Sequence, residues 1–524
     1  MRTFKKNTLA LLGLMLSFTL VLAACSKGNN GNDNAGSAPS SSPAASSPAA
    51  SSPAAEPTAE PLEPVTIKMF VPGVPQNDQK LVNEEVTKYL KDKINVNFEM
   101  TVIDWASWQD KMQLKYATNE EFDITLTMSW DNWTTKIKDG VIIPIDELMA
   151  KYAADAVAQT DPKVLSGIKF NGQTYGFPTN KEFAGNKGIM VRKDIAEKYG
   201  FDLSTVKTPE DMEPFFDVIK EKEPGMTPFL SGKDVGLNIA LQEGLFVSAG
   251  GGKNLGAMDR YSPDLKIIDL HADQKYIDML KLTRKWYEKG YINQDATTLA
   301  DFAGAYRSGK VFAYSESLKP GKDAEVSQAS GFPWVQIDMT KPIVSTSSVL
   351  GNMLSISRTS KNPERAMMFI NLLHTDKYLV NLIAFGIEGK HYVKVGDNTI
   401  DYPEGVTSQT SGYALGSPYM FGNQFLDYLW ANEDPQKWEK FKQFNESAEE
   451  AKGLGFIFNP ENVKNEISAY NNKIAEFLPG LITGSVDPEE YLPKMDKELK
   501  AAGMDKINEE IQKQLDAWAT TAGK

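Results

Sequence analysis

Apolar and polar residues in the first part of the globular chain follow a strand–helix–strand order. Residues 65–71 alternate apolar and polar side chains, which predicts a β-strand. Apolar positions over 82–90 then share one helical face, and residues 94–100 return to the two-residue alternation of a strand. Because strands joined by a helix pair in parallel, this segment predicts an α/β lobe.

Helix and strand patterns continue to alternate along the chain. Residues 123–127 form an apolar run that predicts another buried strand. Asn362 and Pro363 are typical of a helix start, with a capping residue followed by proline, and apolar residues over 366–373 give that helix a buried stripe. The spacing over 507–518 predicts a further amphipathic helix. The chain is therefore predicted to be an α/β protein with much helix.

The N-terminus has the pattern of a bacterial export signal that ends in a lipid-modified cysteine. A charged start over 2–6 precedes an apolar run over 9–23, which is shorter than the about 20 residues that span a bilayer. Residues 22–25, Leu-Ala-Ala-Cys, resemble the lipobox of bacterial lipoproteins. This resemblance implies that residues 1–24 are removed and that Cys25 carries lipid. An ordinary signal peptide with cysteine at its cleavage site is the alternative.

Residues 25–64 are predicted to form a disordered tether. They repeat Ser-Ser-Pro-Ala-Ala over 41–55 and contain no aromatic residue. Such a segment buries too little apolar surface to offset its ordering entropy, and its prolines favour an extended spacer. The tether would hold a folded domain away from a membrane; a processing remnant without a role is the alternative.

The composition is that of a large folded protein that does not bind nucleic acid. Of the 524 residues, 41% are hydrophobic and 24% are charged, and the length after the tether predicts two or three domains. Cys25 is the only cysteine, so no disulfide is predicted. The net charge of −13, without a basic cluster after the signal, argues against nucleic-acid partners.

Catalytic and metal-binding motifs are missing from the sequence. His271, His374 and His391 lie far apart, without the spacing of metal ligands. Residues 304–310 approach a phosphate-binding loop, but Val311 stands where Ser or Thr would hold magnesium, and the segment fits a helix end better. Neither a metal nor a cofactor is predicted. Paired carboxylates for glycoside hydrolysis stay open, since the 69 acidic residues single out no pair.

A tryptophan-rich segment after the third predicted strand indicates ligand binding. Trp130, Asp131 and Trp133 follow that strand directly. Aromatic rings stack on the apolar face of a sugar ring, and a carboxylate accepts hydrogen bonds from its hydroxyls. Core packing is the alternative for either tryptophan. Trp286 and Trp438 lie in charged helical stretches and are predicted to be structural.

The tryptophan segment also carries a family resemblance. Residues 122–147 resemble the corresponding stretch of ABC-importer solute-binding proteins of the maltose-binding type. Further landmarks recur in the same order, at 175–178, 302–317, 349–352 and 362–363. The C-terminal quarter is most similar to the LipO/LplA-type lipoproteins of Gram-positive bacteria, through 421–424, 455–456, 484–488 and 499–518.

The resemblance implies a fold and its domain limits. It implies the two-lobed α/β fold of type II periplasmic binding proteins, in which hinge segments cross between the lobes and the ligand cleft lies between them. Residues 65–180 and 350–395 would form the first lobe. Residues 181–349 and 396–524 would form the second, with the subfamily-specific C-terminal region.

The resemblance also implies a set of ligand-binding residues. Glu182 would be the acid at the crossover between the lobes, Tyr314 with Ser315 or Glu316 would face the ligand from the second lobe, and Asn352 would line the hinge. The complete predicted set is Gln76, Asn77, Trp130, Asp131, Trp133, Glu182, Tyr314, Ser315, Glu316, Asn352 and Glu388. Extra residues in several loops depart from the maltose-binding pattern, so the sugar itself does not transfer.

The function implied is that of a membrane-tethered extracellular solute-binding component of an ABC importer, without enzymatic activity. Such a protein captures an oligosaccharide by lobe closure and passes it to a permease. It is expected to be a monomer, anchored by lipid on the extracellular face of a Gram-positive-type cell membrane. Two alternatives stay open: a binding protein for peptides or other small solutes, and a secreted enzyme acting on glycosides.

Overall fold

The computed structural model describes residues 62–250 and 253–523. The predicted signal, Cys25 and the tether up to residue 61 lie outside the described residues. Within the described part of the chain, no helix combines the length and the apolar character needed to cross a membrane.

Strands and helices alternate throughout the described chain. In chain order the strands are β1 (Val65–Pro72), β2 (Val96–Ile103), β3 (Ile124–Thr127), β4 (Lys169–Phe170), β5 (Gln173–Thr174), β6 (Phe177–Pro178), β7 (Asn186–Arg192), β8 (Thr227–Leu230), β9 (Phe246–Ser248), β10 (Ala257–Asp259), β11 (Val311–Leu318), β12 (Trp334–Asp338), β13 (Ile343–Val344), β14 (Met353–Ile356), β15 (Val393–Lys394), β16 (Thr399–Asp401), β17 (Leu429–Trp430) and β18 (Glu449–Glu450).

The helices are distributed over the whole length. In chain order they are α1 (Gln79–Ile94), α2 (Trp108–Ala117), α3 (Trp133–Lys138), α4 (Asp146–Tyr152), α5 (Ala154–Gln159), α6 (Pro162–Gly167), α7 (Lys193–Tyr199), α8 (Glu213–Lys222), α9 (Leu237–Leu245), α10 (Gln274–Glu288), α11 (Phe302–Arg307), α12 (Lys322–Ser330), α13 (Thr346–Val349), α14 (Pro363–Thr375), α15 (Lys377–Phe385), α16 (Lys437–Ser447), α17 (Lys464–Thr483), α18 (Pro488–Ala501) and α19 (Met504–Ala522).

A five-stranded sheet organises the first lobe. Its strand order is β2-β1-β3-β14-β6; β1 runs parallel to both β2 and β3, and β14 runs antiparallel to β3 and β6. Val82, Val86 and Leu90 of α1 are fully buried in its core. The predicted strand–helix–strand unit with parallel pairing is therefore confirmed.

Two later predicted helices and one predicted helix end are confirmed, and the capping role of Asn362 is corrected. Helix α14 begins at Pro363, as predicted, but the side chain of Asn362 makes no capping hydrogen bond. Helix α19 buries the predicted apolar stripe from Ile507 to Leu515. Gly309, with φ of +77°, follows helix α11 and precedes β11, so it ends a helix as the sequence predicted.

A four-stranded sheet organises the second lobe. Its order is β12-β7-β11-β8; β11 is antiparallel to β7 and parallel to β8. Trp286 of α10 is fully buried in its core, and its indole donates a hydrogen bond to Glu213 at 3.0 Å. Trp286 is thus structural, as predicted.

The C-terminal part of the chain divides between the two lobes. Helices α17, α18 and α19 share one hydrophobic core with the start of α10 and so extend the second lobe. Residues 413–421, in contrast, contribute Tyr413, Leu415, Met420 and Phe421 to the core of the first lobe. The prediction that residues 396–524 belong wholly to the second lobe is wrong for this segment, because its apolar side chains belong to the hydrophobic core of the first lobe.

Candidate ligand cleft

Three chain segments cross between the lobes side by side. Gly185 and Ile343 exchange backbone hydrogen bonds of 3.1 and 2.9 Å, and β13 pairs in parallel with β18. The side chain of Asn445 fastens the first crossing, since its oxygen accepts the amides of Phe183 and Ala184 at 3.0 and 3.2 Å. These hydrogen bonds hold the crossing segments together where they connect the two lobes.

A charge cluster at the first crossing links it to the second lobe. The carboxylate of Glu182 lies 3.1 Å from the ammonium of Lys181 and 3.5 Å from that of Lys319, and Lys319 also pairs with Glu325 at 3.0 Å. Burial raises the pKa of Glu182, but the two ammonium groups outweigh burial and leave that pKa below its ordinary value. Glu182 therefore stays ionised and positions Lys319, whose side chain lines the cleft.

An aromatic groove lies between the lobes beyond this cluster. Its cavity, of about 370 Å³, is lined from the second-lobe side by Lys319 and Glu325. The facing wall carries the aromatic residues that define the groove, Phe385, Tyr402, Tyr413, Tyr419 and Trp430.

Tyr402 and Trp430 form the platform of the aromatic groove. Their rings stack with centroids 4.4 Å apart and an interplanar angle of 29°, and Phe385 meets Trp430 edge-on at 5.8 Å. Parallel pairing of β16 with β17 sets this contact, since Ile400 pairs with Trp430. The two stacked rings also line an adjoining open cavity of about 570 Å³. A ligand longer than the first cavity would therefore contact these half-buried rings in both cavities.

Charged groups at the rim of the aromatic groove are already paired. Glu433 and Lys437 lie 2.5 Å apart, and Lys319 is held by Glu182 and Glu325. The two ammonium groups and the carboxylates at this rim therefore balance one another within the protein.

A second cavity, which we call the hinge pocket, lies at the crossing segments. It measures about 340 Å³ and brings Ser129 and Trp133 of the first lobe opposite Phe246 and Phe458 of the second. Trp133 is only 1% exposed and packs edge-on against Phe170, and its indole N–H has no hydrogen-bond partner. Trp133 is mainly a core residue, the alternative left open by the sequence.

Asp131 is committed to partners inside the first lobe. Its carboxylate lies 2.5 Å from the ammonium of Lys136 and accepts a 3.0 Å hydrogen bond from the indole of Trp108. All three residues are buried. Burial lowers the pKa of Lys136, and the Asp131 carboxylate only partly offsets this. Both contacts fall on Oδ2 and the residue is 3% exposed, so the position of Asp131 favours a role in the first-lobe core, and its contact with a sugar stays a prediction.

We expect Asp131→Ala to act on stability and not on affinity. The change leaves Lys136 buried and unpaired, so the free energy of unfolding should fall by about 3 kcal/mol. Chemical denaturation measures this loss. In the double variant Asp131→Leu with Lys136→Met, most of the stability should return because no charge remains buried. Normal stability combined with a tenfold weaker affinity for sugar would contradict the structural role and restore the predicted ligand role.

Two predicted second-lobe residues lie in the core. Tyr314 is fully buried and stacks on Tyr306 with centroids 5.0 Å apart, and Ser315 is 1% exposed. Both faces of β11 are covered, since the consecutive residues 311–315 are all buried. The prediction that Tyr314 and Ser315 face the ligand is therefore wrong. Glu316, half-buried at the end of the same strand, lies 3.9 Å from Lys322.

The remaining predicted residues are spread around the cleft. Trp130 is 59% exposed. The Gln76 side chain accepts the amide of Ala414 at 2.6 Å and so supports a loop that lines the aromatic groove, and Asn77 beside it is exposed. The backbone carbonyl of Asn352 accepts the amide of Thr179 at the hinge. For Gln76, Asn77, Trp130, Glu316 and Asn352, contact with a ligand stays a prediction.

Glu388 is exposed and forms an ion pair with Lys394 at 2.9 Å, on a turn that lines neither the aromatic groove nor the hinge pocket. Its side chain is therefore already engaged outside both cavities, and its predicted contact with a ligand has no support from its position.

Sequence reasoning missed the aromatic groove itself. Tyr402 directly follows the short strand β16 and Trp430 ends the short strand β17, 28 positions later, and neither strand has a marked hydrophobic pattern. The signal that could have found them is the density of aromatic residues over 402–430, in a segment that is otherwise polar.

Comparison with known proteins places this architecture in a family. Residues 85–384 match a family model described as bacterial extracellular solute-binding protein. The chain belongs to this family. Residues 452–520 match a second model, a domain of unknown function designated DUF3502, which covers helices α17 to α19. The two lobes, the crossing segments and the cleft are those of an extracellular solute-binding protein, so the predicted family and fold class are confirmed.

Two related proteins resemble the chain over different shares of its length. A carbohydrate ABC transporter substrate-binding protein of Streptococcus pneumoniae is 29% identical over 472 residues, which cover 86% of this chain and 90% of that protein. Lipoprotein LipO of Bacillus subtilis is 24% identical over 243 residues, 44% of this chain and 45% of LipO.

A solved solute-binding protein shares the fold across nearly its whole length. A crystal structure of NgtS, an N-glycan transport solute-binding protein from Streptococcus pneumoniae, has a TM-score of 0.78 at 28% identity and covers 87% of this chain and 99% of NgtS. NgtS in complex with Man5GlcNAc has a TM-score of 0.67 at the same identity, over 88% of this chain and 99% of NgtS.

Proposed function

We propose that this protein captures a neutral oligosaccharide of the mannose and N-acetylglucosamine class between its lobes and delivers it to an ABC permease. The observation that carries the proposal is the stacked Tyr402–Trp430 pair in a groove between the lobes of a solute-binding protein. The similarity to NgtS, which is solved in complex with Man5GlcNAc, supports the choice of sugar class.

The groove suits the physical chemistry of a sugar. A pyranose has an apolar face that stacks on an aromatic ring and a rim of hydroxyls that must each find a partner. Tyr402 and Trp430 offer the ring faces, and Lys319, Glu325, Glu433 and their neighbours offer donors and acceptors. A micromolar complex needs about 8 kcal/mol in all. Partial burial of two aromatic rings at about 25 cal/mol per Å² supplies a large share of that total.

Lobe closure is supported by the difference between two comparisons. The TM-score is 0.78 with NgtS alone and 0.67 with its Man5GlcNAc complex, at the same 28% identity and nearly the same coverage. A lower score at matched identity and coverage is what a different arrangement of the two lobes in the complex would give. Ligand that contacts both lobes would shift the protein from the arrangement described here to the closed one.

Calorimetry and thermal unfolding with a panel of ligands test the proposal. Man5GlcNAc should bind and raise the melting temperature, since a ligand at 100 times its dissociation constant stabilises by about 2.7 kcal/mol. Short peptides, amino acids and maltose-type sugars are the contrast set. Binding of peptides without binding of any oligosaccharide would overturn the sugar assignment and favour the peptide alternative.

Capture without catalysis is part of the proposal, because the related proteins are substrate-binding proteins of transporters. The purified protein, incubated at high concentration with Man5GlcNAc, should return the glycan intact in mass spectrometry. Release of smaller sugars would contradict this and favour the glycosidase alternative.

Lipid anchoring at Cys25 and location on the extracellular face of the cell membrane complete the proposal. The similarity to lipoprotein LipO and the Leu-Ala-Ala-Cys sequence support them. We expect Cys25→Ala to move the protein from the membrane fraction to the soluble fraction, because the residue that would carry the lipid is gone. Fractionation with immunoblotting measures this, and Ser26→Ala is the matched control that should stay at the membrane. Retention of the Cys25→Ala protein at the membrane would refute the anchor.

A further inference from the structure

A buried histidine of the second lobe has no hydrogen-bond partner on either ring nitrogen. His271 is only 4% exposed, and both Nδ1 and Nε2 are unpartnered. The other two histidines, which also lie in the described residues, are engaged: His374 lies 2.9 and 3.0 Å from two backbone carbonyls, and His391 contacts a backbone amide and Asp78. A buried polar group without a partner calls for an explanation, and a role as a metal ligand supplies one.

Two carboxylates lie beside His271, one from its own loop and one from helix α18. Asp269 precedes helix α10, and its Oδ1 is 4.0 Å from Nδ1 of His271, which is too long for a hydrogen bond. Asp496 comes from helix α18, and its Oδ1 is buried without a partner. One ligand atom from each of the three residues lies within 4.8 Å of the others.

We propose that Asp269, His271 and Asp496 bind one divalent transition-metal ion, with Zn²⁺ as the best match. An imidazole nitrogen with two carboxylate oxygens is a ligand set that suits Zn²⁺, whereas Ca²⁺ and Mg²⁺ prefer oxygen ligands alone. Bonds of about 2.1 Å to a tetrahedral ion place ligand atoms roughly 3.4 Å apart. The side chains therefore need to approach one another by up to about 1.4 Å, and water completes the coordination.

Lys500 is the competitor for this site. Its ammonium lies 2.8 Å from Asp496 and 3.4 Å from Asp269, on the Oδ2 atom of each carboxylate. The side chain is 42% exposed, so it can turn into solvent when an ion brings two positive charges. The metal would then join α18, within the DUF3502 segment, to the loop before α10. The bound ion would stabilise the C-terminal helices on the second lobe, independently of any sugar in the cleft.

Titration of the full protein with ZnCl₂ tests the site. Calorimetry should give one Zn²⁺ per chain, and Zn²⁺ should raise the melting temperature. His271→Gln and Asp496→Asn should each weaken binding at least tenfold. Asp264→Asn, an exposed carboxylate nearby in sequence, is the control and should bind like the wild type.

Lys500→Met gives a second test of the site if a variant of a proposed metal-binding residue does not fold. Removing the competing ammonium should leave Zn²⁺ affinity equal or higher. Absence of one-site binding in both the wild type and Lys500→Met would overturn the proposal. So would wild-type affinity in His271→Gln and Asp496→Asn, weaker binding in Lys500→Met, or binding of Ca²⁺ or Mg²⁺ in preference to Zn²⁺.

Discussion

Trp430→Ala is expected to weaken oligosaccharide binding about 30-fold. A ring that carries a sugar face belongs to the class of interface residues whose truncation costs about 2 kcal/mol or more, and every 1.4 kcal/mol is tenfold in affinity. Tyr402→Ala should give a loss of similar size. Because the two rings stack on each other at 4.4 Å, the double variant should lose less than the sum of the single losses. Calorimetry with Man5GlcNAc measures all three affinities.

Two controls separate stacking from general damage. Tyr402→Phe keeps the ring and should retain affinity within about threefold, since stacking does not need the hydroxyl. Tyr378→Ala removes a more exposed tyrosine, 44% exposed, whose ring contacts that of Tyr89 in the first lobe. It should bind the sugar like the wild type. Unchanged affinity in both Trp430→Ala and Tyr402→Ala, with normal melting curves, would exclude the aromatic groove as the binding site.

Glu182→Gln is expected to lower the free energy of unfolding by about 3 kcal/mol at neutral pH. The change removes the negative charge between Lys181 and Lys319, and breaking a mostly buried ion pair by removing one partner has a cost of this size. Urea denaturation measures the loss. Glu325→Gln is the matched control, because Glu325 is 42% exposed and its pairing with Lys319 should contribute less than about 1 kcal/mol.

The effect of Glu182 should disappear in acid. The folded-state pKa of Glu182 lies below its ordinary value of 4.5. Its contribution is therefore fully present above pH 4.5 and is lost as the pH falls through the folded-state pKa. The stability difference between wild type and Glu182→Gln should shrink in that range. A difference that stays constant down to pH 2.5 would show that packing, and not charge, explains the loss.

Regular elements with strong periodicity were predictable from the sequence. The spacing of Val82, Val86 and Leu90 predicted α1, and the alternation before and after it predicted β1 and β2 with their parallel pairing. Boundaries were less accurate, since Ile94 ends the helix where the pattern suggested a strand. The division of the C-terminal region between the lobes depends on where Tyr413 and Phe421 pack, which periodicity does not encode.

The site was predictable in kind and only partly in detail. Family resemblance predicted an aromatic cleft, but the structure places Trp133 and Asp131 in buried networks. A sequence motif gives residue types only. It does not show that Lys136 pairs with the carboxylate of Asp131 in the folded protein. The Tyr402–Trp430 platform depends on the pairing of two strands, each two or three residues long, and such short strands leave no periodic signal.

The strand order of the first sheet has a consequence for the timing of folding during synthesis. Thr127 and Met353 are neighbours across β3 and β14 but lie 226 residues apart in the chain. All four strands of the second sheet fall within that interval. A chain emerging from its N-terminus can therefore complete the second sheet while β3 still has an unpaired edge. Because such distant pairing is slow, β3 keeps an unpaired edge until residue 356 has appeared, and the core of the first lobe, which also needs residues 413–421, is completed after the second sheet.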